Sequence, residues 1–77
     1  MKLTDARRRK GLAQYELAGL ASVPQSELYR IERRGMRPTR EQALRLATSL
    51  GVDPSDVDEL RVASELARTT DELEAEQ

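Results

Sequence analysis

Apolar and small residues recur along this chain at helical rather than strand intervals. Leu17, Ala18 and Ala21 lie at steps of one, three and four, as the inward side of a helix requires. Leu28 and Ile31 form a second stripe three residues apart. Between the stripes lies Ala21-Ser22-Val23-Pro24. The residue before a proline is pushed out of the helical region, so the first of these two helices is predicted to stop near Ser22. Pro24 is predicted to open the next, where its missing N–H falls among amides that have no helical partner anyway. Ala18 is small, which lets the two helices cross closely at a steep angle.

Punctuation extends the pattern in both directions. A first helix is predicted from about Leu3 to Lys10, with Gly11 closing it in a left-handed conformation and basic residues favourably placed in its last turn. The second runs from about Gln14 to Ala21 and the third from about Pro24 to Arg33. Thr39, with Gln42 three residues on, makes a capping-box pattern for a fourth helix whose buried side is lined by Leu44, Ala47 and Leu50 and which Gly51 ends. Asp53-Pro54 then offers an N-cap acceptor followed by proline at the first helical position, the start of a fifth. No strand pattern and no repeat occurs, so the fold is predicted to be all-α.

From Val57 to Gln77 the pattern changes. Leu60, Ala63, Ala67 and Thr70 make a weak stripe, and Val62, Leu66, Thr69 and Leu73 make another offset by two. Two stripes on one helix exceed what a small domain covers. One is expected to pack on helices 1 and 4 and the other to meet a partner chain, with Val57, Leu60, Val62, Leu66 and Leu73 as the dimer interface. Beyond Thr70 the residues are mostly charged and read as an acidic tail. The expected division is therefore a domain over 1–57 and an acidic C-terminal helix and tail over 58–77 for dimerisation or partner binding.

Two short helices crossing at a tight turn constitute a helix-turn-helix, the unit that lays its second helix in the major groove of DNA. Further residues fall in register with it: Arg7 and Gly11, Gln14, Glu16-Leu17-Ala18, Val23, Ser26, Arg30-Ile31-Glu32, Gly35, Pro38, Ala43-Leu44-Arg45-Leu46-Ala47 and Leu50-Gly51-Val52. From Leu3 to Val57 the chain thus resembles the lambda-repressor and Cro-like helix-turn-helix family, the xenobiotic-response-element type of bacterial and phage regulators. The resemblance implies a five-helix DNA-binding domain with its fifth helix extended at the C-terminus. It also implies that Arg7 and Glu32 form an internal ion pair bracing helix 1 against the end of helix 3. Two departures stand out. Ala13 replaces the serine or threonine usual before the glutamine, and Arg34 occupies the place where family members carry glycine, with Gly35 one residue later.

Charge adds a direction. Residues 1–45 carry eleven basic and five acidic side chains, a balance of +6, whereas 46–77 carry two and nine, a balance of −7. The near-neutral total of −1 hides a polarised molecule. The basic half suits phosphates, whose neutralisation releases counterions and supplies sequence-independent affinity. The acidic end is expected to face away from DNA.

The outward face of helix 3 then carries the candidate base readers Gln25, Ser26, Glu27, Tyr29 and Arg30. Gln25 can pair in bidentate fashion with adenine, Arg30 with guanine, and Glu27 can accept from the amino group of cytosine. Ser26 is short enough to donate or accept. Gln14, at the first turn of helix 2, can reach a phosphate beside the free backbone amides of the helix N-terminus. Arg33, Arg34, Arg37 and Arg40 crowd the loop after helix 3, where mutual repulsion calls for a polyanion and guanidinium forks match phosphate oxygens. Arg8, Arg9 and Lys10 are candidates for further phosphate contacts.

Composition narrows the remaining classes. Seventy-seven residues make one domain near the lower limit for a self-sufficient core, and with only two tyrosines as aromatics that core must be aliphatic and alanine-rich. Absence of both cysteine and histidine removes disulfides and the usual zinc and acid–base equipment, so neither an enzyme nor a cofactor or metal site is expected. No signal peptide or membrane span is evident, and a cytoplasmic protein, nucleoid-associated when bound to DNA, is the default. The expected partner is double-stranded DNA, bound as a homodimer at an inverted repeat by a transcriptional regulator acting as a repressor. Alternatives are an antitoxin whose C-terminal helix wraps a toxin, and a protein-interaction adaptor; in either the regulator or the antitoxin the C-terminal segment is the place for a partner protein, an anti-repressor or a toxin.

Overall fold

A computed structural model describes residues 1–61. They form α1 (Leu3–Arg9), α2 (Gln14–Ala21), α3 (Gln25–Arg33) and α4 (Arg40–Leu50), then a single 3-10 turn, Pro54–Asp56, and a return to helical backbone over 58–61. No strand occurs among the described residues, and the architecture is that of a small all-α domain.

Three helices end by the same device. Gly11, Ser22 and Gly51 take positive φ values of 74°, 54° and 68°. The next amide then donates five residues back, Leu12 to the Arg7 carbonyl at 3.2 Å, Val23 to Ala18 at 3.0 Å and Val52 to Ala47 at 3.0 Å. These bonds satisfy carbonyls that the helix leaves open, and they turn an apolar residue back onto the core each time. Ser22 is the non-glycine residue that adopts this conformation, so α2 is already closed before Pro24 acts. Pro24 stands one residue outside α3, as its N-cap, rather than at its first position.

Helix starts differ in how their free amides are met. Thr39 Oγ1 accepts from the Gln42 amide at 3.1 Å, and Gln42 Oε1 accepts from the Thr39 amide at 3.0 Å, a complete reciprocal cap on α4. Ala13 has no side-chain oxygen, but Glu16 Oε1 still accepts from its amide at 2.9 Å, so α2 keeps half of that arrangement. At α1 the cap arrives from far along the chain. The Leu3 amide donates to both oxygens of Glu59, at 3.0 and 3.1 Å. A carboxylate there also meets the positive end of the helix dipole.

The core comprises Leu3, Ala6, Leu17, Ala18, Ala21, Val23, Leu28, Ile31, Ala43, Leu46, Ala47, Leu50, Val57 and Leu60. It is wholly aliphatic, and both tyrosines lie on the surface. α2 packs against both α3 and α4, which makes it the central support of the reading helix.

Two expectations are corrected here, the inward stripe of α4 and the exposure of Val57 and Leu60. The inward stripe of α4 is Ala43, Leu46, Ala47 and Leu50, while Leu44 is exposed. At 3.6 residues per turn Leu44 stands about 120° from Leu50, so the two cannot share one buried face. Asp53 accepts from the Ser55 amide at 2.9 Å and caps the fifth helical element, a 3-10 turn after which Val57 turns extended and helical backbone resumes at 58. Val57 and Leu60 are themselves fully buried, so neither is available as a dimer contact. Packing consequently continues past residue 57 to Leu60, with the Asp58 amide donating to the Met1 carbonyl at 2.8 Å. The other residues expected at that interface, Val62, Leu66 and Leu73, lie outside the described residues.

Candidate nucleic-acid interface

α3 buries Leu28 and Ile31 against the core, which turns Gln25, Ser26, Tyr29 and Arg30 to the outside. Together with Gln14, Arg34 and Met36 they line one open groove. Among the described residues the side chains of Gln14, Gln25, Ser26, Tyr29, Arg30 and Arg34 make no hydrogen bond or ion pair. The groove therefore presents two amides, two hydroxyls and two guanidinium groups with their hydrogen-bonding capacity free. Such a set can address base edges and phosphate oxygens at once.

Gln14 is the first residue of α2, where the opening amides have no acceptor within the helix. Its half-buried side chain sits at the groove margin, beside the positive end of the α2 dipole. At the other margin α3 closes with Arg34 at φ −113° followed by Gly35 at φ 68°. The amides of Arg34 and Met36 both donate to the Arg30 carbonyl, at 2.8 and 3.1 Å. A glycine one residue later than in the resembled pattern thus still supplies the left-handed turn, and the inserted arginine lines the groove.

The remaining arginines are exposed but dispersed. Arg33, Arg37 and Arg40 do not line the groove. Arg37 instead borders a depression shared with Ile31, Gly35, Met36, Asp58 and Glu59, and Arg40 opens α4. Arg8, Arg9 and Lys10 are exposed at the end of α1.

Glu27 is placed differently from its neighbours. Its Oε2 accepts from Gln42 Nε2 at 2.6 Å, which ties α3 to the first turn of α4. The carboxylate does not line the groove, and this bond braces α3 against α4.

Arg7 and Glu32 meet in the interior. Arg7 Nη2 lies 3.1 Å from Glu32 Oε1, with side chains 11% and 0% exposed. Arg7 Nε donates to both Glu32 oxygens at 3.3 and 3.2 Å, and its Nη1 donates to the Leu12 carbonyl at 2.9 Å. Thr4 Oγ1 adds a donation to Glu32 Oε1 at 2.8 Å. The buried carboxylate is thereby fully engaged, and no buried side-chain polar atom is unpaired among the described residues.

Thr4, Met36, Glu59 and the bond from Gln42 to Glu27 escaped the sequence reading. Met36 carried a signal, as an apolar residue amid a run of arginines and other polar positions. Glu59 and the second bond of Gln42 carried none, since each depends on a contact between distant segments.

No helix among the described residues is long and apolar enough to cross a membrane. The chain matches the family model of the helix-turn-helix domain over residues 1–60, a span that takes in every core residue among the described ones. No curated protein and no solved structure matches it.

Proposed function

The chain belongs to the helix-turn-helix domain family, of the Cro and lambda-repressor type, and from that premise we propose that it is a sequence-specific transcriptional repressor binding an inverted-repeat operator as a homodimer. The observation that carries the reading is the groove itself. Six polar side chains that have no partner among the described residues converge on one surface of α2 and α3. Gln25 and Arg30 take adenine and guanine edges, Ser26 donates or accepts between them, and the Tyr29 ring meets the methyl group of thymine. Gln14 and Arg34 hold phosphates at the two margins, and Arg33, Arg37 and Arg40 extend the basic surface along the backbone. Two such helices related by a two-fold axis enter successive major grooves about 34 Å apart, which is why the operator is an inverted repeat. Occupancy of such a site blocks polymerase without any further domain.

Selection of bound duplexes from a random pool tests this, followed by measurement of affinity for the winner against salt. A palindromic motif whose binding weakens steeply with salt is the expected result. Failure to enrich any sequence, with binding no tighter than to bulk DNA, would overturn it.

A further inference from the structure

We infer that the shallow apolar concavity between α2 and α4 is where a second copy of this chain docks, an assignment that rests on the homodimeric reading above and names its surface. Among the leucines of the described residues, only Leu20 and Leu44 are exposed, at 63% and 45%. They come from different helices yet line the same concavity, with Ala21, Ser22, Arg45 and Thr48 around them. None of these residues lines the DNA groove, so both surfaces can be occupied together. Isolated leucines on a surface need no explanation; here two from different helices converge on one concavity.

Charge identifies the occupant. Glu41, Leu44, Arg45 and Thr48 follow the i, i+3, i+4, i+7 spacing and are all exposed, so they form one face of α4. Arg45 Nη2 donates to Glu41 Oε1 on its own helix, both side chains standing in solvent. A face with a leucine beside one acid and one base is complementary to itself. A two-fold axis near Leu44 sets α4 antiparallel to its copy, brings leucine onto leucine, and presents Arg45 to Glu41 of the partner subunit. Such an interface is isologous, the commonest kind among homodimers. DNA gains no phosphate contact from an apolar centre, and a strongly acidic or basic peptide would meet a face of zero net charge. The patch is small, so association is weak in free solution and is completed when one duplex holds two copies at high effective concentration.

Sedimentation of the full 77-residue chain, alone and on a duplex with two half-sites, reads the association directly. Leu44→Asp and Arg45→Glu each weaken self-association and cooperative binding at least tenfold, while circular dichroism and binding to a single half-site stay at wild-type values. The double swap Glu41→Arg with Arg45→Glu restores association, and mixing the two single variants yields a heterodimer. Association unchanged by Leu44→Asp and by Arg45→Glu overturns the assignment, as does a wild type that neither associates nor binds two half-sites cooperatively. A wild type that associates through this face but enriches no DNA sequence would instead overturn the regulator reading and leave the interface standing.

Discussion

Side chains of the same chemistry have opposite fates in two regions of this molecule. In the groove of α2 and α3, Gln14, Gln25 and Arg30 stand without partners among the described residues. Where α1 meets α3 and the 53–61 segment, Arg7, Glu32, Thr4 and Glu59 are engaged with one another or with backbone amides. An arginine or glutamine is therefore not a DNA contact by virtue of its type or its place in a basic half. The difference lies in whether the fold has already used its hydrogen-bonding groups. Exposed polar groups cost nothing in water and can exchange solvent for a ligand, whereas groups paired in the interior cannot leave without stranding a partner.

Removing Glu32 should separate the two regions most sharply. Glu32→Ala leaves the 11%-exposed Arg7 guanidinium without its counter-charge, a loss of about 3 to 5 kcal/mol in a domain with little stability to spare. Thermal or denaturant unfolding reads this, and a midpoint equal to wild type would place the pair outside the fold's framework. Arg30→Ala is the complementary case. It should leave stability within about 0.5 kcal/mol of wild type, as surface changes usually do. Discrimination at one base pair should fall by about 1 to 3 kcal/mol, whereas Arg37→Ala should weaken all sequences alike. Competition binding with single-base variants of the selected duplex distinguishes them, and equal profiles would erase the division between readers and clamps.

Glu59→Ala removes the remote cap from α1 and should cost about 1 to 2 kcal/mol of stability, with DNA affinity of the folded protein unchanged. A loss of affinity at constant fold would mean that this end also touches DNA. The smallest effect is expected at the turn between α2 and α3. Ser22 holds φ 54°, a conformation that glycine adopts freely, so Ser22→Gly should stabilise by about 0.5 to 1 kcal/mol. Unfolding midpoints check the sign, and destabilisation would show that the serine side chain matters there.

What could be read from the sequence was what depends on neighbours in the chain. The stripes of α2 and α3, the left-handed Gly11 and Gly51, and the Thr39–Gln42 cap are all settled within one or two helical turns. The arginine–glutamate brace came from a family pattern rather than from spacing. Elements that depend on distant packing were misjudged. Leu44 and Leu46 are both plausible inward residues until the direction of the core is known, and Val57 and Leu60 look like interface until α1 is seen beside them. Nothing in the sequence shows Gln42 across from Glu27 either.

The three glutamines of the described residues test the central distinction most directly. Gln14 and Gln25 line the groove, while Gln42 is bonded to Thr39 and Glu27. Nuclear magnetic resonance of the labelled chain, titrated with the selected duplex, follows all three side-chain amides in one spectrum. The signals of Gln14, Gln25 and the Arg30 Nε–H should shift on saturation while those of Gln42 stay in place. Movement of Gln42 or of the Leu3 amide, with Gln25 unaffected, would contradict the assignment of the groove as the DNA-reading surface.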